Sequence, residues 1–474
     1  MNFAIVGTGP SAWSTYMAIM KMRPEVDISF IDVGKRFSSA QQKIVGAEAQ
    51  KTKFGSDYMY EVSGSNLESE FQSPYSMANG GFSSSWGAGL RVWPETELKK
   101  INLDLAEIHQ SAKDLLSVIP YTGTSDSLGL PAPLKIEDKP FPIGSDSLIR
   151  LCILGESTDH VIIRPSLAIE TSGHNACVGC GRCLTGCPYG SILDFGDLVD
   201  RLIATKRASR IFGRVEKVEQ KSGTVWISIL QNDITKTLQF DRVFLCAGAL
   251  GTPQILMNSG YLPDKVEIID SQVFYFLGLK NPFYRSPTPK FALSELSFYT
   301  KMPQEKIYAS LYQSNDETRS RISKKIRKVF RLPFFPVPRF LDRCLIFGIG
   351  FIHSDFSGKM KLTKMQSGGF KIDLIENQET KKSIAKALKT IRNTLGSKKL
   401  FIIPKITLTP LIGGGFHLGG GVVLDSKFTS LDGTLKNANM VHISDTSLLP
   451  FLEPGPHTFT SMCVNYSLVT KCLG

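Results

Sequence analysis

A chain of 474 residues with 42% hydrophobic and 21% charged residues has room for two or three folded domains and is not the composition of a disordered or fibrous protein. No run of 18 or more apolar residues occurs, so no transmembrane helix is expected. The formal charge of +12 suits an anionic substrate, an acidic protein partner or a membrane surface; without zinc-finger spacing or an RNA-binding aromatic signature, no nucleic-acid partner is expected.

Residues 3–6 form a short apolar run, the first parallel strand, and it starts so early that no signal peptide is expected. Gly7, Gly9 and Ala12 follow as G-x-G-x-x-A, a helix is predicted to about residue 22, and a second strand over 28–31 ends at Asp32. Gly7 permits the tight turn, Gly9 lets the backbone approach a pyrophosphate, and Ala12 lets helix and strand pack closely. The helix N-terminus faces the diphosphate charge, and Asp32 stands where a ribose hydroxyl needs an acceptor. The order predicts a dinucleotide site and leaves flavin or nicotinamide open.

Residues 73–93 interleave Gly80, Gly81, Gly87 and Gly89 with Ser83, Ser84, Ser85 and Trp86, which reads as backbone passing close over a flat ligand. A helix is predicted over 103–118, and the Pro-, Gly- and Ser-rich stretch 119–150 reads as an excursion at a domain boundary. A strand over 159–163 and a helix over 195–204 come next. Strand-like runs at 211–218, 224–230 and 237–245 predict a small antiparallel addition, the last ending at Cys246, Ala247 and Gly248, where open α/β sheets bind ligands. Pro253 reads as the start of a helix over 254–258.

From 268 to 377 aromatics and strand-like runs dominate (291–299, 307–313, 345–353, 369–374). This predicts a second, largely antiparallel substrate domain inserted between 1–267 and 378–474. Inside it, 319–341 opens with RSRISKKIRKVFR, seven positive residues and no acid, followed by an aromatic tail. A basic amphipathic helix of this kind predicts peripheral contact with an anionic membrane; a protein partner, or packing on its own sheet, are the other readings. An amphipathic helix over 381–395 carries Ile384, Leu388, Ile391 and Leu395 on one stripe. The chain then passes through the glycine-rich 413–421 to a strand over 440–443 ending near Asp445, and a last helix from about Thr458.

Cys177, Cys180, Cys183 and Cys187, in the loop 177–190, are spaced C-x2-C-x2-C-x3-C-P, the ferredoxin-like run, with Gly179, Gly181 and Gly186 keeping the loop small. Tetrahedral zinc is the rival, although zinc sites usually draw on two separated pairs. No second run exists, so either all four thiolates hold one 4Fe-4S cluster, or three hold a cluster completed elsewhere, or a 3Fe-4S cluster leaves one thiol spare. Cys152, Cys246, Cys344, Cys463 and Cys472 read as small buried apolar residues, and the usage as a whole predicts a reducing compartment.

Two histidines close the argument. His417 sits in GGGFHLGGG and His457 in LEPGPHTFT. An imidazole near neutrality accepts an alcohol proton while hydride leaves the same carbon, and a second holds the substrate oxygen. His353 and His442 occur in strand-like surroundings, His109, His160 and His174 have no organising pattern, and all five read as structural.

With these residues assembled, the chain resembles the glucose–methanol–choline oxidoreductase family. The resemblance implies an α/β FAD-binding Rossmann-like domain, of the p-hydroxybenzoate-hydroxylase-like kind, with a second, mostly antiparallel-sheet substrate domain. It implies that Gly7, Gly9, Pro10, Ser11, Ala12 and Asp32 hold the FAD adenosine and pyrophosphate, and that Gly80, Gly81 and Ser84 run beside the flavin. Val215, Ala247, Gly248, Asp445 and Thr458 are implied as further cofactor contacts, with His417 and His457 catalytic. The cysteine run is similar to that of iron–sulfur-bearing sugar and polyol dehydrogenases. This implies hydride transfer from a CH–OH group of a sugar, polyol or other alcohol to flavin N5. Single electrons would then pass through the cluster to an electron-transfer protein or quinone, in the cytoplasm or at the inner face of the membrane. A reductase of a hydrophobic or unsaturated substrate fed by a ferredoxin-like donor, and a non-enzymatic redox sensor or electron carrier, are the alternatives.

Overall fold

The computed structural model describes residues 1–34, 75–131, 134, 136–145, 148–149, 154–183, 187–280, 291–301, 306–314, 344–396 and 400–474. The basic segment 319–341, with the membrane contact expected of it, lies outside the described residues, as do Cys152 and Gly186. No helix among the described residues is long and apolar enough to cross a membrane.

β1 (Asn2–Val6), α1 (Pro10–Met22) and β2 (Asp27–Asp32) form the expected strand–helix–strand unit. β1 lies inside a six-stranded sheet, parallel both to β2 and to the Arg242–Leu245 strand, which in turn pairs in parallel with Ala438–Ile443. Residues 3–6 are all buried, as a strand covered on both faces requires. The closing helix Thr458–Leu473 packs against α1 and Leu105–Leu116, so the C-terminal segment completes the first domain.

Two of the expected strand runs divide. The 211–218 run breaks at Gly213 into Ser209–Phe212, an edge strand on β2, and Arg214–Lys221. A Cβ on Gly213 would overlap the Ile229 side chain. The 237–245 run breaks at Asp241, whose Oδ2 accepts the Asn2 amide at 2.7 Å. Ile234–Phe240 stays in a three-stranded antiparallel sheet, while Arg242–Leu245 enters the parallel one. Pro253 does not open its helix, which runs Gly248–Asn258. The helix starts earlier because Asp445 Oδ2 accepts both the Gly248 amide (2.8 Å) and the Thr252 hydroxyl (2.5 Å), anchoring the first turn.

The second sheet has seven strands, all antiparallel. Val273–Lys280, Leu345–Ile352, Ile307–Gln313 and Leu296–Thr300 form its middle, and it also takes Leu400–Leu408 and His160–Ile163 from outside the 268–377 span. The helix Glu379–Gly396 covers its outer face, where Ile384, Ala387, Ile391 and Leu395 meet Phe274, Phe276 and Phe298 in one buried cluster. Gly348 and Gly350 lie under the rings of Phe276 and Phe274, and any Cβ there would overlap them. The alternation that sends those rings outward points Tyr275, Phe347 and Phe351 inward, toward the first domain.

Candidate active site

A cavity of about 1040 Å³ lies between the two sheets. One half of its wall is the turn after β1: Gly7, Thr8, Gly9, Pro10 and Ser11, with Asp32, Val215, Ala247 and Gly248 beside them. Gly7 has φ +114°, and a Cβ there would stand 2.5 Å from the Cys246 carbonyl oxygen. The start of α1 has no side-chain cap and no acid in its first turn, so its amides are left for an anion. Asp32 closes this half. Its Oδ1 accepts the Gly34 amide at 2.5 Å, and burial raises its pKa to about 6 against the opposing hydrogen bonds from Gly34 and Thr8. An elongated dinucleotide fits this cradle. Gly7→Ala is expected to destabilise the protein by about 1–3 kcal/mol, read by denaturant unfolding, because the left-handed backbone and the Cys246 carbonyl both exclude a side chain.

Asp445 also lines the cavity, but its carboxylate is committed inside the protein. Oδ1 accepts the Ser447 amide at 2.9 Å, and Oδ2 holds Gly248 and Thr252. It fixes where the return strand meets the Gly248–Asn258 helix, and thereby aims that helix start at the cavity.

His417 and His457 meet at the junction of the two halves, their ring centroids 4.6 Å apart and nearly perpendicular at 77°. Phe351 lies flat against His417 at 4.4 Å with an interplanar angle of 5°. Neither Nδ1 has a hydrogen-bond partner among the described residues. Titration near neutrality is not what the rings show: burial lowers His457 to about 4, and burial together with His457 lowers His417 well below the ordinary value. Burial thus favours the neutral form of both rings, each with a free Nδ1 but a weaker base than an exposed imidazole. Asp270, which no sequence motif marked, anchors the His417 loop by accepting the Gly413 amide at 2.7 Å, and burial raises it to about 7.

None of the four cysteines lines the cavity. Cys183 is pushed up to about 12 by burial, with Cys177, Cys180 and Cys187 close enough to add to the shift. Three of the four sulfurs face backbone amides: Gly179 toward Cys177, Ala292 toward Cys183, and Ser191 toward Cys187 at 3.3 Å. Gly179 and Gly181 have φ +64° and +76°, the turns that bring the amides round. The four sulfurs are not gathered as a single ion requires. Among the described residues the group of possible ligand atoms lying within 4.8 Å of one another is Glu97, His353 and Glu453, with no cysteine in it.

Two routes join this loop to the cavity. Ala292 is two residues from the cavity-lining Ser294, and the cavity-lining Trp86 donates Nε1–H to the Leu193 carbonyl at 2.8 Å, just beyond Ser191.

Of the expected site residues, Gly81 and Thr458 also line the cavity, whereas Ala12, Gly80 and Ser84 do not. Ala12 is fully buried behind the turn. A Cβ on Gly80 would meet Asp194 and the Gly196 amide, and Ser84 donates its hydroxyl to Gly81 O at 3.0 Å. Sequence reasoning missed Tyr275, Tyr308, Tyr312, Phe347 and Phe351, which line the sheet side. Their signal was the period-two alternation within each strand.

No protein-family model matches the chain, and no curated sequence does either. Among solved structures it is similar to the crystal structure of pyridoxine 4-oxidase from Mesorbium loti, at 14% identity, with 99% of this chain and 98% of that chain covered and a TM-score of 0.64. That likeness shows the fold: the two-domain architecture, with a mostly antiparallel second sheet, that the glucose–methanol–choline and p-hydroxybenzoate-hydroxylase-like resemblance implied.

Proposed function

We propose that this chain is an FAD-dependent oxidoreductase acting on a CH–OH group, with an iron–sulfur cluster on Cys177, Cys180, Cys183 and Cys187 as the exit for electrons. The observation that carries the reading is the meeting of two neutral imidazoles with a dinucleotide-shaped cradle in one cavity. The solved structure of like fold is named as an oxidase of pyridoxine, which supports redox chemistry here.

FAD would be held with its diphosphate at the start of α1, against Gly7, Gly9, Pro10 and Ser11, and its ribose at Asp32; Val215, Ala247, Gly248 and Thr458 complete the cradle. When bound, it supplies a hydride acceptor and a junction between two-electron and one-electron chemistry. The chain's own part is proton management. One of His417 and His457 takes the substrate hydroxyl proton while the carbon gives up hydride, leaving a carbonyl; the other holds the oxygen. The amides aimed at Cys177, Cys183 and Cys187 suit the sulfurs of a cluster, since hydrogen bonds to sulfur stabilise its reduced charge.

Protein purified without oxygen is expected to carry flavin and iron together, with an iron–sulfur EPR signal after reduction. Cys183→Ser should lose the iron and the reduction of a quinone or small electron-transfer protein, while substrate still bleaches its flavin. Flavin without iron in the wild-type protein would end the relay reading. The apolar sheet face favours one second reading, reduction of a hydrophobic unsaturated compound fed by a ferredoxin-like donor. Reoxidation of the reduced protein by such a compound, with no alcohol bleaching the flavin, would select it.

A further inference from the structure

We infer that the substrate is a neutral alcohol on a flat, apolar or aromatic body, and not a sugar or polyol. This rests on the CH–OH reading and specifies what that site takes. The cavity wall opposite the nucleotide cradle is one face of the seven-stranded sheet. Tyr275 and Phe347 stack on it at 5.6 Å and 21°, Tyr312 joins Phe347 at 6.1 Å, and Ile349 lies between Phe347 and Phe351 along the same strand face. Phe351 stacks on His417. The aromatic strip thus runs up to the groups that would take the hydroxyl proton, and a flat ligand lying on it meets ring faces and edges along its length.

Charge points the same way. Among the described residues lining the cavity, the Asp, Glu, Lys and Arg side chains are Asp32, Arg214 and Asp445, all on the cradle side. A substrate carboxylate or phosphate would be desolvated against a sheet face whose described lining residues carry no positive side chain. Polyol hydroxyls fare little better along the strip, where Phe347, Ile349 and Phe351 offer no hydrogen-bonding side-chain atom, and two of the sheet's hydroxyls already bond within the protein: Tyr308 with Ser297 at 2.7 Å, and Tyr312 with Ser310. Each substrate hydroxyl that loses water without gaining a partner costs roughly fivefold to a hundredfold in affinity.

The test is calorimetric titration of the flavin-loaded full chain with cinnamamide, cinnamate and sorbitol. Cinnamamide is expected to bind at least about tenfold tighter than either of the others. Phe347→Ala should weaken cinnamamide about tenfold and leave sorbitol unmoved. Ile349→Arg, if it folds and keeps its flavin, should reverse the order of cinnamamide and cinnamate. Tighter binding of sorbitol, or indifference of cinnamamide to Phe347→Ala, overturns the inference. Anaerobic bleaching of the flavin by cinnamyl alcohol separates this from the underlying reading. Bleaching by sorbitol and not by cinnamyl alcohol keeps the CH–OH reading and overturns the substrate class. Binding of cinnamamide with bleaching by no alcohol keeps the ligand class and refutes the chemistry.

Discussion

His457→Ala and His417→Ala are each expected to slow alcohol oxidation by about 10²–10⁴-fold, with flavin content unchanged. On the proposed chemistry the loss should fall on kcat more than on KM, since the imidazoles would act on the proton in flight and add little to substrate binding on the apolar sheet face. The pH profile carries a second expectation. A solvent-exposed histidine would give an acid limb near pH 6.5, whereas burial brings His457 to about 4 and holds His417 well below 6.5. The base should therefore stay unprotonated down to about pH 4, and neither imidazole should contribute an acid limb to kcat/KM near 6.5. The sign for stability follows. The folded-state pKa lies below the unfolded one, so stability from holding these rings neutral is complete above about pH 6.5 and is lost as pH falls through about 4. Burial also raises Asp32 to about 6 and Asp270 to about 7, so an acid limb near 6.5 that persists in both Asp32→Asn and Asp270→Asn would mean that neither imidazole is the base.

What could be read from the sequence was what local physics specifies. β1, α1 and β2 were legible because strand period, turn glycines and helix period change over within 32 residues. His417 was singled out because GGGFHLGGG is too glycine-rich for a core strand, and His457 because LEPGPHTFT follows the return strand; the structure places the two rings in contact. Pairings between distant segments were not. Nothing local says that residues 155–163 and 400–408 complete the second sheet, or that Asp241 hands its strand from one sheet to another. Alternation told which side chains of Leu345–Ile352 share a face. Only the Phe274 and Phe276 rings seated over Gly350 and Gly348 decide which face meets the cavity. The pKa shifts of the histidines were hidden for the same reason: burial is a property of the assembled cavity, not of the motif.

Lys306→Met is expected to destabilise the folded protein by about 3–5 kcal/mol, measured by denaturant unfolding at pH 7. Lys306 Nζ lies 2.6 Å from Glu97 Oε2 and 2.7 Å from Glu453 Oε1, its side chain 13% exposed and theirs 7% and 10%. Burial alone would raise Glu97, but hydrogen bonds from Lys100 and Lys306 outweigh it and bring it to about 2. Removing the ammonium leaves two buried carboxylates with, among the described residues, the half-exposed Lys100 beside Glu97 and the His353 imidazole beside Glu453. The deficit should shrink as pH falls from about 4.5 toward 2, where Glu97 takes up its proton and the wild-type advantage disappears.

The cluster also positions the site. Glu453 is four residues before His457, His353 Nε2 stands 3.3 Å from Glu453 Oε1, and Lys306 opens the Ile307–Gln313 strand that carries Tyr308 and Tyr312. Lys306→Met should therefore lower kcat as well as stability, and Glu97→Gln in the same chain should recover stability by removing one stranded charge. Zn²⁺ offers an independent check. With the ammonium gone, Glu97, His353 and Glu453 keep ligand atoms within 4.8 Å of one another, so the ion should raise the unfolding midpoint of Lys306→Met and not that of the wild type. A Lys306→Met protein as stable as its parent would show that water, and not Lys306, balances these acids.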